Sequence, residues 1–243
     1  MKLFLFDLDG TLAESSKNIV KSKINVLNKL QKTDCEMGLL CGGSFDKVLH
    51  QTKGIIFDHY FTECGSVYYK GDGTLVYMND IKQHKLYPIM NQLIKESLNY
   101  ISQFIFPISG HLIDIRKGLI YISLVGMQAS DEERKNFKNH DKQYNLRETL
   151  INILNIRLRE LGYLNEISVL EGGTVGISIF PSEYDKSQIL HKINIEKYDE
   201  IIYFGDKYLK SGNDYKMLND NRVTGYKIRN IEQTYSILEL KYC

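Results

Sequence analysis

Apolar residues fall along this chain in two rhythms. Near the start, Leu3 to Phe6 form an unbroken apolar run that stops at Asp7-Leu8-Asp9-Gly10-Thr11, the pattern of a strand buried on both faces and ending in a tight loop. Ile19, Ile24, Leu27 and Leu30 then recur at roughly helical spacing in a Lys-rich segment. Met37 to Cys41 give a second run, closed by Gly42-Gly43-Ser44. A third run, Ile201 to Phe204, ends in Gly205-Asp206 and is followed by a polar loop and a helix predicted from around Asn230. The middle behaves differently. Leu112 to Ile115 and Leu119 to Val125 flank Arg116-Lys117-Gly118 as a β-hairpin would, and a second strand-like pair flanks Glu171-Gly172-Gly173. Between these pairs, Leu150, Leu154, Leu158 and Leu161 with their neighbours predict a helix from about Asn145 to Leu161, stopped by Gly162. Antiparallel strands with covering helices are the simplest packing for this stretch. The patterns predict an α/β core with a parallel sheet, discontinuous over 1–80 and 182–243, and an α+β insert over 81–181 with an antiparallel sheet.

Composition narrows the function more than the fold. The 243 residues carry 31 Lys+Arg against 30 Asp+Glu, so the chain lacks the strong positive field of a nucleic-acid scaffold. With 43% hydrophobic and 25% charged residues and only 3 Pro, it should fold throughout. Its cysteines, at 35, 41, 64 and 243, form no C-x-x-C pair, which fits reduced thiols in a cytoplasmic compartment better than zinc or a disulfide framework. The apolar run at the N-terminus is too short for a signal peptide, no segment reads as a membrane span, and neither a P-loop nor an H-E-x-x-H motif occurs.

The candidate chemistry lies at the strand ends. Asp7 and Asp9 are two apart, so an extended backbone through Leu8 would point both carboxylates to one side. Asp206 and the Asn213-Asp214 pair offer further hard oxygen ligands suited to Mg²⁺. An anion beside that metal could be held by the Ser44 hydroxyl and the Lys186 ammonium. Taken singly, each residue has a plainer role: a turn at Asp7-Gly10, a helix N-cap at Ser44, a solvated surface lysine at 186. An EF-hand is excluded because Leu12 and Asn18 stand where its glycine and glutamate belong.

Taken together, FDLDGTL, GGS, the lysine in YDKS and GDKYLKSGND resemble the four ordered motifs of haloacid-dehalogenase-type phosphotransferases. The stretches FDHYFTECGSVYY, IDIRKG, DEERKNF and IFPSEYDKS extend the resemblance to eukaryotic-type phosphomannomutases over nearly the whole chain. That resemblance implies a Rossmann-like core with an inserted cap, Mg²⁺ dependence, a homodimer formed through the cap, and interconversion of mannose 6-phosphate and mannose 1-phosphate with a hexose 1,6-bisphosphate activator. It implies that Asp7 is the nucleophile and Asp9 the acid/base, and that Ser44 and Lys186 hold the phosphoryl oxygens. Asp7, Asp9, Asp206, Asn213 and Asp214 would serve the metal, and Arg116 and Arg134 would clasp the phosphate that is not reacting.

Departures from the family pattern collect at the substrate clamp. Met127 stands where I-G-R-S carries an arginine, and a bidentate anion contact is lost. Gly176 and Ser178 stand where S-F-D-V-F-P carries the sugar-binding Ser and Asp, leaving the Ser178 hydroxyl in place of a carboxylate. Ser16 replaces an arginine, with Lys17 next to it as the substitute cation. A sugar-phosphate phosphatase is therefore an alternative to the mutase, and a non-catalytic scaffold is a second one.

Overall fold

A computed structural model describes residues 1–243, and the chain divides into two compact units, Met1–Asn79 with Tyr184–Cys243, and Asp80–Glu183. The first unit opens with β1 (Lys2–Phe6), α1 (Lys21–Leu30), β2 (Cys35–Leu40), α2 (Phe45–Gln51), β3 (His59–Thr62), β4 (Val67–Lys70) and β5 (Leu75–Met78). The second unit holds α3 (Tyr87–Ile101), β6 (Ile113–Ile115), β7 (Ile120–Ser123), α4 (Asp131–Tyr144), α5 (Leu146–Leu161), β8 (Ile167–Gly172) and β9 (Gly176–Pro181). The chain then returns to the first unit for β10 (Glu200–Gly205), α6 (Tyr215–Leu218), β11 (Thr224–Lys227) and α7 (Ile231–Lys241).

In the first unit the seven-stranded sheet runs β11-β10-β1-β2-β3-β4-β5, parallel from β11 to β3 and antiparallel beyond. β1 is the central strand of the parallel part, and both of its faces are covered, which is why its sequence is apolar without a break. Phe4 and Phe6 join Met37, Leu39, Ile202 and Phe204 on the face packed by α1 and α7. Leu3 and Leu5 join Leu40, Phe61, Ile201 and Tyr203 on the other, against Ile189, Leu190 and Met217. Rings stack across the first face, Phe6 on Phe204 at 5.2 Å and Phe204 on Tyr226 at 4.8 Å.

The sheet is not wholly parallel, because the β3–β5 meander adds an antiparallel edge. Its strands are short, and Leu75, Val76 and Met78 are exposed, so no buried run marks them in the sequence. β11, Thr-Gly-Tyr-Lys, is unmarked for the same reason. In the second unit the sheet order is β6-β7-β9-β8, all antiparallel. The turn between β8 and β9 falls after Gly172, slightly later than the sequence pattern places it. One face of this sheet carries Ile120, Ile122, Ile167, Val169, Ile177 and Ile179, packed beneath residues of α3, α4 and α5. α4 is polar apart from Phe137 and Tyr144 and buries only Phe137 and Asp141. A capping box between Ser130 and Glu133 starts it.

α7 also anchors the loop that follows β1. Thr234 donates its hydroxyl to the Thr11 carbonyl at 2.8 Å, and Tyr235 donates to the Leu12 carbonyl at 2.9 Å, both buried. Tyr235→Phe would leave a buried carbonyl without its donor, a loss of about 1–3 kcal/mol. At about 2–4 °C per kcal/mol for a chain of this size, the thermal midpoint should fall by about 2–12 °C. An unchanged midpoint in a calorimetric scan would show that the loop is held by other contacts.

Candidate active site

Asp7 follows β1, and its N–H donates to the Phe204 carbonyl at 2.9 Å, so pairing with β10 continues one residue past the strand. Alternation along the strand assigns Asp7 to the face of Leu3 and Leu5. The carboxylate is thereby delivered into an apolar layer, where a compensating charge is required.

Lys186 supplies that charge. Its side chain is 0% exposed, with Nζ 2.5 Å from Asp7 Oδ1, 2.6 Å from Asp214 Oδ1 and 3.2 Å from the Tyr203 hydroxyl. Tyr203 in turn donates to Asp214 Oδ1, and the Lys207 N–H donates to Asp214 Oδ2 at 2.9 Å. Asp206 completes the group, for carboxylate oxygens of Asp7, Asp206 and Asp214 lie within 4.8 Å of one another. The backbone makes room for them: a Cβ on Gly205 would sit 2.7 Å from Asp214 Cγ. One on Gly10, whose φ is +98°, would sit 2.4 Å from Asp206 Oδ2.

Burial raises the Asp7 pKa to about 8; Asp214 and Asp206 push the same way and Lys186 opposes them. Burial, then the charge of Asp214, also raises Asp206. For Asp214 burial is outweighed by Lys186, Tyr203 and the Lys207 N–H, and its pKa is lowered. Lys186 is pushed down by burial but held well above its usual value by Asp214 and Asp7. Three carboxylates thus share one ammonium, while Asp206 Oδ1 and Asn213 Oδ1 are buried without a hydrogen-bond partner. An oxygen-only set with surplus negative charge and unspent lone pairs fits a hard divalent cation such as Mg²⁺, which Asp7, Asp206, Asp214 and Asn213 would hold.

The other residues singled out from the sequence sit as follows. The Asp9 carboxylate does not join the other three aspartates, contrary to the same-side expectation. It accepts from the Ser16 N–H and Gln51 Nε2, each at 2.9 Å, and from Lys47 Nζ at 3.0 Å. The reason lies in the backbone, which leaves the extended conformation at Leu8: the Leu12 and Ala13 N–H groups turn back onto the Leu8 carbonyl, at 3.0 Å each. Although burial pushes the Asp9 pKa up, Lys47, Gln51 and Ser16 outweigh it, and Asp9 is held ionised. Ser44 stands at the N-cap position of α2, exposed and without a capping hydrogen bond from its side chain. Lys186 is the opposite of a surface lysine. Lys17 is 71% exposed and pairs with Glu14 at 2.5 Å.

In the second unit, Arg116 donates from Nε to Asp114 at 2.6 Å. Arg134 is half-buried and tied to the loop before α4, with Nε on the Ala129 carbonyl at 2.9 Å and Nη2 on the Met127 carbonyl at 2.8 Å. Ser178 pairs across the sheet with Tyr121. Sequence reasoning missed Tyr203, Lys47 and Gln51. A signal for Tyr203 exists, since it is a hydroxyl-bearing residue inside an otherwise apolar run next to Gly205-Asp206. Lys47 follows Ser44 by about one helical turn.

A family model described as eukaryotic phosphomannomutase matches residues 24–242. Phosphomannomutase 1 of Dictyostelium discoideum is 33% identical over 224 residues, covering 90% of this chain and 88% of its own. The chain belongs to the eukaryotic phosphomannomutase family. Another relative, a phosphomannomutase of Solanum lycopersicum, is 30% identical over 243 residues, covering 98% of this chain and 91% of its own. The chain's likeness to solved structures is one of fold. A haloacid dehalogenase-like hydrolase from B. subtilis superposes with a TM-score of 0.60 at 17% identity, covering 98% of this chain and 93% of its own. An IMP-bound mutant of the Plasmodium falciparum IMP-nucleotidase gives 0.67 at 15% identity, covering 98% of this chain and 66% of its own.

Two predictions follow the charge balance of this phosphomannomutase-family site. Lys186→Met leaves Asp7 and Asp214 buried without their cation and should cost about 3–5 kcal/mol, read as a lower denaturation midpoint; an unchanged midpoint would mean the ammonium neutralises nothing. The second concerns pH. Because the folded pKa of Asp7 is raised to about 8, its contribution to metal-free stability is present below about pH 4 and lost as pH rises through about 8. Over the same range the ionised carboxylate becomes available to a cation. The thermal shift produced by MgCl₂ should therefore be larger at about pH 9 than at about pH 6; an equal shift at both would contradict this.

Proposed function

We propose that the protein is a Mg²⁺-dependent phosphomannomutase that interconverts mannose 6-phosphate and mannose 1-phosphate, with Asp7 carrying the phosphoryl group. The placement of Asp7 supports this most directly: in a chain of this family, a buried carboxylate at the end of the central strand is paired with a fully buried lysine and grouped with two further aspartates. Asp7 attacks phosphorus in line, the bond from Asp7 Oδ to phosphorus forming as the bond from phosphorus to the sugar oxygen breaks. Mg²⁺, when bound, would neutralise the repulsion between carboxylate and phosphate. Lys186 favours the ionised nucleophile, and Ser44 with Lys186 steadies the phosphoryl oxygens. Asp9, held ionised by Lys47, Gln51 and Ser16, is set as the base that takes a proton from the attacking sugar hydroxyl in the return transfer. Having taken that proton, the same carboxyl returns it to the sugar oxygen that leaves when the bisphosphate next passes a phosphoryl group to Asp7. Arg116 and Arg134 clasp the second phosphate of the hexose 1,6-bisphosphate intermediate, which also serves as activator.

A homodimer formed through the middle unit and a cytoplasmic setting belong to the same reading, as does the absence of a nucleic-acid or membrane partner. No helix is long and apolar enough to cross a membrane. Met127, Gly176, Ser178 and Ser16 at clamp positions favour one other outcome, hydrolysis of phospho-Asp7 by water. With mannose 1-phosphate, hexose 1,6-bisphosphate and Mg²⁺, mannose 6-phosphate should form faster than free phosphate is released, and the reverse ratio would favour the phosphatase. Asp7→Asn should lower either rate by at least about 10³-fold; a variant that keeps its activity would remove Asp7 from the reaction.

A further inference from the structure

The sheet of the second unit has a polar face opposite its packed one. Along β7 and β9, Ile120, Ile122, Ile177 and Ile179 point into the helical layer, so alternation gives Tyr121, Ser123, Gly176 and Ser178 to the other side. Tyr121 dominates that side. Its ring lies on bare backbone: a Cβ on Gly172 would come 3.0 Å from its Cε2, one on Gly173 3.3 Å from its hydroxyl, and one on Gly176 2.7 Å from that hydroxyl. Glycine at 176 is also required by the Ile122 carbonyl, 2.3 Å from the same point. A tyrosine seated on glycine backbone is fixed in position, and Tyr121 stays partly exposed.

Its surroundings hold three arginines, two of them paired with carboxylates, and several hydroxyls. The Arg116 guanidinium lies 5.3 Å from the ring centroid. Burial raises the Tyr121 pKa, while Arg116, Arg134 and Arg147 pull it down, so these guanidinium groups all act on one phenol that stays a proton donor at neutral pH. Arg147 is occupied by Asp141 at 2.7 Å and Glu171 at 3.0 Å. The hydroxyls of Tyr121 and its cross-strand partner Ser178 make no hydrogen bond to another residue, and the Ser123 hydroxyl, fully buried on the same face, has no partner either. Hydroxyls without a protein partner, near arginines, suit a ligand that brings several anionic acceptors at once.

We propose that Tyr121 is a substrate-contacting, specificity-determining residue: its hydroxyl donates to the non-reacting phosphate of the bound hexose phosphate, where Met127 offers no donor. This deepens the phosphotransferase reading and rests on it. The phenol adds one directional donor to the clamp of Arg116 and Arg134, and its ring narrows the space above Gly172, Gly173 and Gly176 that a sugar could enter.

Tyr121→Phe removes only the hydroxyl and keeps the ring on its glycine bed. In steady-state assays with hexose phosphates, KM should rise at least about fivefold, with kcat falling less. Calorimetric Kd values for hexose 1-phosphate should rise in step. Acetyl phosphate, which has no sugar and no second phosphate, is the control donor: phosphorylation of Asp7 from it reports on the core alone. KM and Kd within about twofold of the unsubstituted protein would overturn the proposal, as would a parallel loss of kcat and of acetyl phosphate labelling, which marks a purely structural role. If the unsubstituted protein takes no phosphoryl group on Asp7, the transfer reading fails by itself, and the calorimetric Kd still decides the role of Tyr121.

Discussion

The chemistry of this protein depends on one buried cation. Lys186 stands in a layer of Ile189, Leu190, Tyr203 and Met217 and is held there by Asp7 and Asp214. An ammonium in that layer is tolerable only because carboxylates meet it, and the carboxylates are tolerable only because it is present. Each group keeps the others in place. The chain draws them from distant positions, Asp7 after the first strand, Lys186 where the chain re-enters the first unit, Asp214 after β10. The site is thus a property of the parallel sheet: β1 and β10 are neighbours in register, and their ends release Asp7 and Asp206 side by side.

The two acids of the first loop show how environment separates roles. Asp7 and Asp9 are of one chemical type and two residues apart. Asp7 goes into the apolar layer, where burial raises its pKa. Asp9 turns toward Lys47, Gln51 and the Ser16 N–H, which lower it. Ser16 adopts a left-handed backbone, φ 63°, and contributes its amide rather than a side chain. That position, where the family pattern carries an arginine, therefore still acts on Asp9, through its backbone.

The sequence was legible where physics acts locally. Strands covered on both faces must be apolar throughout, so β1, β2 and β10 stand out, as does α5 with its leucine stripe and terminal Gly162. β3 to β5 and β11 do not, because short or half-exposed strands carry no such run. Asp7, Asp206, Asp214 and Lys186, singled out from residue type and motif order, lie together in the fold. The geometry of Asp9 was misread because alternation assumes an extended chain, and the chain turns at Leu8. Tyr203 was missed because a tyrosine in an apolar run reads as core, and only the three-dimensional packing reveals that its hydroxyl reaches Lys186 and Asp214.

The tether between α7 and the loop after β1 has a bearing on how such a chain is made. Thr234 and Tyr235 lock a loop whose residues leave the ribosome more than two hundred positions earlier. Contacts so far apart in sequence form late and slowly. During synthesis this loop therefore stays untethered until α7 has emerged, more than two hundred residues after it.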